Sequence, residues 1–201
     1  DVSHMGIIKI SGDKSTIFLD RLLTNSILNL EPGKAMYTLL CNNSGGVIDD
    51  LIIYKIKNYY VLIVNASNKD KDLAWIYKNN KENVEINDIS NQNSLLAIQG
   101  PDSKMQLESL FNLDLSNMNF YTCKIELVNS KDVFIARTGY TGELGFEVFG
   151  SHEIIKYLWD KMIENKISPS GLAVRDVLRT EMGYCLYGHE IDSSMNPIDA
   201  G

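Results

Sequence analysis

The 201-residue chain is 44% hydrophobic and carries a formal net charge of −7, a composition ordinary for a globular protein with a core of its own. A chain of this length buries roughly 70% of the surface its unfolded form exposes, so no staple is required to hold it together. Its lysines and arginines are scattered, which excludes an electrostatic footprint for nucleic acid; no apolar stretch approaches the ~18 to 20 residues that span a bilayer, and the start has no signal-peptide pattern.

The chain opens on "DVSHMGIIKI" without an initial Met and stops at "NPIDAG", which reads as an excerpt. A strand is predicted at 7–11, and "GDKSTIFLDRLLTN" places Ile17, Phe18 and Leu22, flanked by Leu19 and Leu23, at helical spacing. Strands follow at 37–41, 46–56 and 59–64. "SNKDKDLAWIYKNN" opens a helix on Ser67 with Asp70 three positions on, the pattern of a capping box. The polar stretch "NDISNQN", residues 87–93, marks the internal boundary. Beyond it come a strand at 94–100 and a helix in "PDSKMQLESLF" with Pro101 at its first position. Strands at 120–127, 133–138 and 146–150 precede "SHEIIKYLWDKMIENK", which puts Ile154, Ile155, Leu158, Trp159 and Met162 on one helical face. The last helix, in "PSGLAVRDVLRTEMGY", is expected to end near Gly183. Strands and helices intermixed, with short turns between several strands, predict an α+β fold with antiparallel sheets.

Three widely spaced cysteines with no CxxC pair argue against a disulfide scaffold or zinc site and fit a reducing compartment. The histidines show no metal-ligand spacing, and His4 alone is more often a packed residue than a catalyst.

Two aspartates sit in the apolar run "SGGVIDDLIIY". On a strand, Asp49 shares a face with Leu51 and Ile53, whereas Asp50 shares the other with Ile52 and Tyr54. A generic acid pair beside a turn is a solvated strand end. Against that, burying a carboxylate among apolar neighbours costs several kcal/mol without a partner, so its presence points to a task. "TGYTGELGFEVFG" holds four glycines around Tyr140 and Glu147. They indicate tight turns or close backbone approach to a ligand, but a strand follows, so the dinucleotide fingerprint fails. Arg175 and Arg179 stand four apart on one helical face with Asp176 beside them, charges that are usually surface or intrahelical pairs worth ~0.3 to 0.5 kcal/mol.

Taken in order, "DVSHMG", "NNSGGVIDDLI", "LLAIQGP", "GYTGELGFE", "GLAVRDVLRTEMGYCLYGHEID" and "NPIDAG" resemble the aminomethyltransferase family, the T-proteins of the glycine cleavage system. The resemblance covers essentially the whole chain. It implies two lobes of a three-lobed, folate-binding fold: residues 1–88 as the middle lobe and 89–201 as part of the first, with an N-terminal segment and a C-terminal barrel lobe absent. It also implies transfer of a methylene from the aminomethyl-lipoyl arm of H-protein to tetrahydrofolate with release of ammonia, requiring no metal. The location implied is the cytoplasm, or the mitochondrial matrix in a eukaryote. By motif, Asp50 matches the family's essential acid. Tyr37, Tyr54, Asn65 and Tyr140 match pocket positions, Glu147 the carboxylate that holds the pteridine, and Arg175 its basic companion. Asp50, Tyr54, Glu147 and Arg175 are expected to converge on one cavity, and the excerpt alone is expected to be a weak catalyst. The alternatives are a non-catalytic folate-binding relative and a demethylase-like protein using another one-carbon donor.

Overall fold

The structure, a computed structural model, describes residues 1–200 and divides them into two compact units. One comprises His4–Ser90 with the chain from Cys185 onward; the other comprises Asp1–Ser3 and Asn91–Tyr184. The main division therefore falls inside the polar stretch 87–93. Residues 185–200, grouped by the sequence reading with the second segment, fold instead with His4–Ser90. Main-chain bonds explain this: Val47 N–H donates to the carbonyls of Asp192 and Met195 at 3.0 and 3.1 Å, and the Asn42 amide donates to Ser193 O at 3.0 Å. A Cβ on Gly46 would lie 1.8 Å from Ser193 O, so only glycine permits the approach.

The His4–Ser90 unit is built on β1 (Gly6–Ser11), β2 (Ala35–Cys41), β3 (Val47–Ile56), β4 (Tyr59–Val64) and β5 (Glu85–Asp88), in the order β2-β3-β4-β1-β5. Every pairing is antiparallel. Alternate residues of one sheet face, among them Ile8, Ile10, Leu51, Ile53 and Leu62, bury against Phe18 and Leu19 of α1 (Ser15–Leu22) and Ile76 of α2 (Lys69–Asn79). The sequence reading missed β5: its four residues, "EIND", carry almost no apolar signal and become a strand by pairing along the edge of β1. The capping box is also absent. Asn68, not Ser67, precedes α2, and its side chain makes no cap bond because it is committed to Asp49.

The other unit pairs β6 (Asn93–Gln99), β9 (Gly145–Ser151), β8 (Lys131–Ala136) and β7 (Cys123–Val128), in that spatial order and all antiparallel. Its core joins Leu96, Ile98, Val133, Ile135, Phe146 and Val148 of one sheet face to α3 (Ser103–Phe111) and α4 (His152–Glu164). Pro101 lies outside α3, whose N-cap is Asp102. The predicted strand at 120–127 starts only at Cys123, because Tyr121 takes a left-handed φ of 59°. Helix α5 (Leu172–Glu181) ends as expected: Gly183, at φ 71°, donates to Thr180 O while Tyr184 donates to Arg179 O, a Schellman pattern.

Two glycines of "TGYTGELG" prove to make room for one side chain of the protein itself. A Cβ on Gly139 or Gly145 would meet Gln99 Oε1 at 2.1 or 2.0 Å. The Gln99 amide passes between them, donating to Thr138 O at 3.2 Å and Phe146 O at 3.1 Å while accepting from the Thr141 hydroxyl at 3.2 Å. It thus ties β6 to the loop 137–144. Adding a methyl evicts an amide held by three bonds, each worth ~1 kcal/mol net, on top of ordinary overpacking strain. Gly139→Ala should therefore lower stability by about 2 to 3 kcal/mol in urea unfolding. Combined with Gln99→Ala it should cost clearly less than the sum of the two single changes, and strict additivity would show that the two residues are not in contact.

Candidate functional site

The first candidate site lies at the start of β3 and confirms the opposed facing of its two acids. Asp49 takes the helix-side parity of Leu51 and Ile53 and is 0% exposed, so the reading of both acids as solvated fails. Asp50 faces the other side, half-buried. Tyr37, opposite Ile52 across β2, is the diagonal neighbour of Asp50 and donates its hydroxyl to Asp50 Oδ2 at 3.1 Å. Tyr54 holds the Asp50 parity further along β3 and is 1% exposed.

Asn65, one residue past the end of β4, is free of the ladder and so reaches both acids. Its amide nitrogen donates to Asp49 Oδ1 at 2.9 Å and Asp50 Oδ1 at 2.7 Å, and its backbone N–H to Asp49 Oδ2 at 3.0 Å. Asn68 adds a bond to Asp49 Oδ1 at 2.5 Å. Burial first, then the charge of Asp49, pushes the Asp50 carboxyl up to about 6, against the lowering effect of its bonds from Tyr37 and Asn65.

A third acid, Asp72, was not anticipated. It is 0% exposed on the first turns of α2, and neither carboxyl oxygen receives a hydrogen bond. Burial, then the adjoining Asp49 carboxyl as a hydrogen-bond acceptor and as a charge, pushes it up to about 9, with Lys71 acting in the opposite direction. The helix N-terminus would favour an ionised acid by ~0.3 to 1 kcal/mol, whereas stranding a charge without donors costs several. Burial wins. The signal was available in sequence: Asp72 stands four residues before Ile76, on the buried face of its helix.

The second candidate site is in the unit Asn91–Tyr184. Glu147 lies on the sheet face away from the helices, paired with Ala97 on one side and Ala136 on the other. It is 9% exposed and accepts the Thr138 hydroxyl at 2.5 Å. Burial, then Tyr184 and Glu147, raises Tyr121 above its ordinary value. Tyr184 stacks on Tyr140 at 5.8 Å, and the Arg175 guanidinium lies 4.7 Å over the Tyr140 ring. Glu147, Tyr140 and Arg175 thus belong to one neighbourhood threaded by Tyr121 and Tyr184, two residues the sequence reading did not single out. Arg175 also lines a cavity with Gln99, Thr141 and Trp159, which Glu147 and Tyr140 do not line. Arg179 is 5% exposed, so it is no surface residue, but it does form an intrahelical pair with Asp176 and also bonds the Tyr184 carbonyl.

The family model described as GCVT N-terminal domain matches residues 1–201. The aminomethyltransferase of Flavobacterium psychrophilum is 45% identical across all of this chain, and that of Alkaliphilus oremlandii 44%. These alignments take in 58% and 56% of the two relatives, so the chain spans little more than half their length. The crystal structure of glycine cleavage system aminomethyltransferase T from Bartonella henselae matches with a TM-score of 0.90 at 32% identity, over 99% of this chain and 54% of that one.

The raised Asp50 carboxyl has a measurable sign. A folded-state value near 6, above the ordinary value of about 3.9, means the folded chain keeps a proton that the unfolded chain releases. The stability from that proton is complete below about pH 4 and is lost as pH rises through 6. Asp50→Asn should therefore gain stability relative to the parent between about pH 4 and 6, with no further gain above that. Urea unfolding at several pH values checks it; a gain on acidification would reverse the assignment.

Proposed function

The chain belongs to the GCVT N-terminal domain family, and from that premise we propose that it carries out the aminomethyl transfer step of glycine cleavage. The donor is the aminomethyl group held through sulfur on the lipoyl arm of H-protein, and the acceptor is tetrahydrofolate. The C–S and C–N bonds of the aminomethyl group break, and its carbon forms bonds to N5 and N10 of the folate. The two protons leaving those nitrogens go to the lipoyl sulfur and to the departing ammonia. The setting is the cytoplasm, or the mitochondrial matrix in a eukaryote. Among the described residues no helix is long and apolar enough to cross a membrane.

The observation that carries the reading is the situation of Asp50. It is a half-buried acid held by Tyr37 and Asn65 beside a second carboxyl, with its proton affinity raised into the range near neutrality. A group so placed can take or give a proton as folate nitrogens exchange theirs. Tyr37, Tyr54 and Asn65 are assigned to the surroundings of that acid. Glu147 is assigned to the pteridine, whose adjacent N–H groups a carboxylate accepts as a pair, with Tyr140 and Arg175 beside it. The His4–Ser90 unit is assigned as the middle lobe and Asn91–Tyr184 as part of the first lobe of the three-lobed fold.

Assayed in the intact protein with lipoylated H-protein, Asp50→Asn should nearly abolish methylene transfer. Asp49→Asn should retain transfer and lose stability, because its single remaining acceptor oxygen faces three donors. Equal loss of transfer in both variants, with folding intact, would remove Asp50 from its role. Folate binding without transfer in the parent would identify a non-catalytic relative, and transfer from another one-carbon donor a demethylase-like one.

Glu147→Gln should weaken tetrahydrofolate binding by about 10- to 100-fold in calorimetry, as loss of a charged hydrogen bond costs ~1.5 to 3 kcal/mol. An unchanged dissociation constant would return Glu147 to a structural role.

A further inference from the structure

We propose that Asp72 is a positioning residue: a permanently protonated acid whose O–H donates to Asp49 and, through Asp49 and Asn65, sets the orientation and proton affinity of Asp50. Three observations carry this. Asp72 is completely buried, and among the described residues its two oxygens are the only buried side-chain polar atoms with no hydrogen-bond partner. An ionised carboxyl accepts only, and the neighbouring amides turn to Asp49 instead: Asn65 gives it a backbone N–H and an amide hydrogen, and Asn68 gives it an amide hydrogen. A protonated carboxyl has an O–H to give, and Asp49 is its acceptor. The proton belongs on Asp72 because Asp49 holds the donors that stabilise charge.

The consequence runs along the bonds. Asp49 holds one side of the Asn65 amide, whose nitrogen then meets Asp50 at 2.7 Å. The charged or titratable groups acting on Asp72 are Asp49 and Asp50 on β3 and Lys71 on its own helix. Lys71 is itself drawn to Tyr187, donating to its hydroxyl at 2.8 Å. Tyr37 on β2 completes the set around Asp50. The three aspartates are not arranged as a cation site: among the described residues no group of three or more His, Cys, Asp or Glu is placed to hold a metal. Only the naming of Asp50 as the group served depends on the proposed function.

The test is made on the folded chain without folate, so its outcome and that of the transfer assay are separable. Carbon-detected NMR of the aspartate carboxyls should show Asp72 protonated at neutral pH; titration of Asp72 together with the surface aspartates would overturn the proposal. Because the folded chain keeps a proton the unfolded chain loses, parent stability falls as pH rises above the ordinary aspartate value. The folding constant of Asp72→Asn, relative to the parent, should then rise about tenfold per pH unit between roughly pH 5 and 8. A pH-independent difference would make Asp72 ordinary packing.

For the positioning step, Asp72→Asn keeps an N–H for Asp49 and should leave the Asp50 midpoint where it is. Asp72→Ala leaves the Asp49 charge less compensated and should raise that midpoint by about half a unit. An unchanged or lowered midpoint in Asp72→Ala would sever the link to Asp50.

Discussion

A carboxylate taken fully out of water must be met by donors or give up its charge, and the organisation of the His4–Ser90 unit around Asp49 follows from that constraint. Asp49 lies on the helix side of β3 with no exposure, and three N–H groups from Asn65 and Asn68 converge on it. Supplying them has local consequences. The strand β4 stops at Val64, which leaves the Asn65 side chain free to turn inward, and α2 begins without a side-chain cap because Asn68 is engaged elsewhere. A cap is worth ~1 kcal/mol, less than the penalty for an unmet buried charge, so the acid takes the amide.

The same constraint separates the fates of three aspartates of identical chemistry. Asp49 has donors. Asp72, packed against it without any, holds a proton to far higher pH. Asp50, facing away and half-buried, is shifted less because Tyr37 and Asn65 favour its charged form. A graded set of acids arises from solvent access, donor supply and the charge each acid places on the next. It places one group near neutrality at the start of a strand braced by the returning segment 192–195.

The Asn91–Tyr184 unit solves a different problem, that of carrying a carboxylate on a sheet. Alanines flank Glu147 on both neighbouring strands, leaving room above it, and Thr138 supplies a short hydrogen bond. The adjoining loop is fastened by Gln99 passing between Gly139 and Gly145. In this motif two glycines make room for a half-buried amide, which fastens the loop that precedes Glu147.

Much of this was legible in the sequence. The continuous apolar run 59–64 and the apolar face of α4 reflect burial of the element, a local pattern that survives without knowing what covers it. Strict alternation likewise settled that Asp49 and Asp50 oppose each other. What the sequence could not carry were pairings between residues remote in the chain. The strand 85–88 has no apolar signature and exists because β1 offers it an edge. Residues 185–200 fold with the earlier unit because Gly46 admits Ser193. Asn68 abandons its cap for Asp49, and burial beside another acid favours the neutral form of Asp72. Local sequence determined most of the segments that become strands and helices and which way their side chains point; tertiary packing decided the edge strand 85–88 and which buried polar groups meet a donor, and hence where the protons reside.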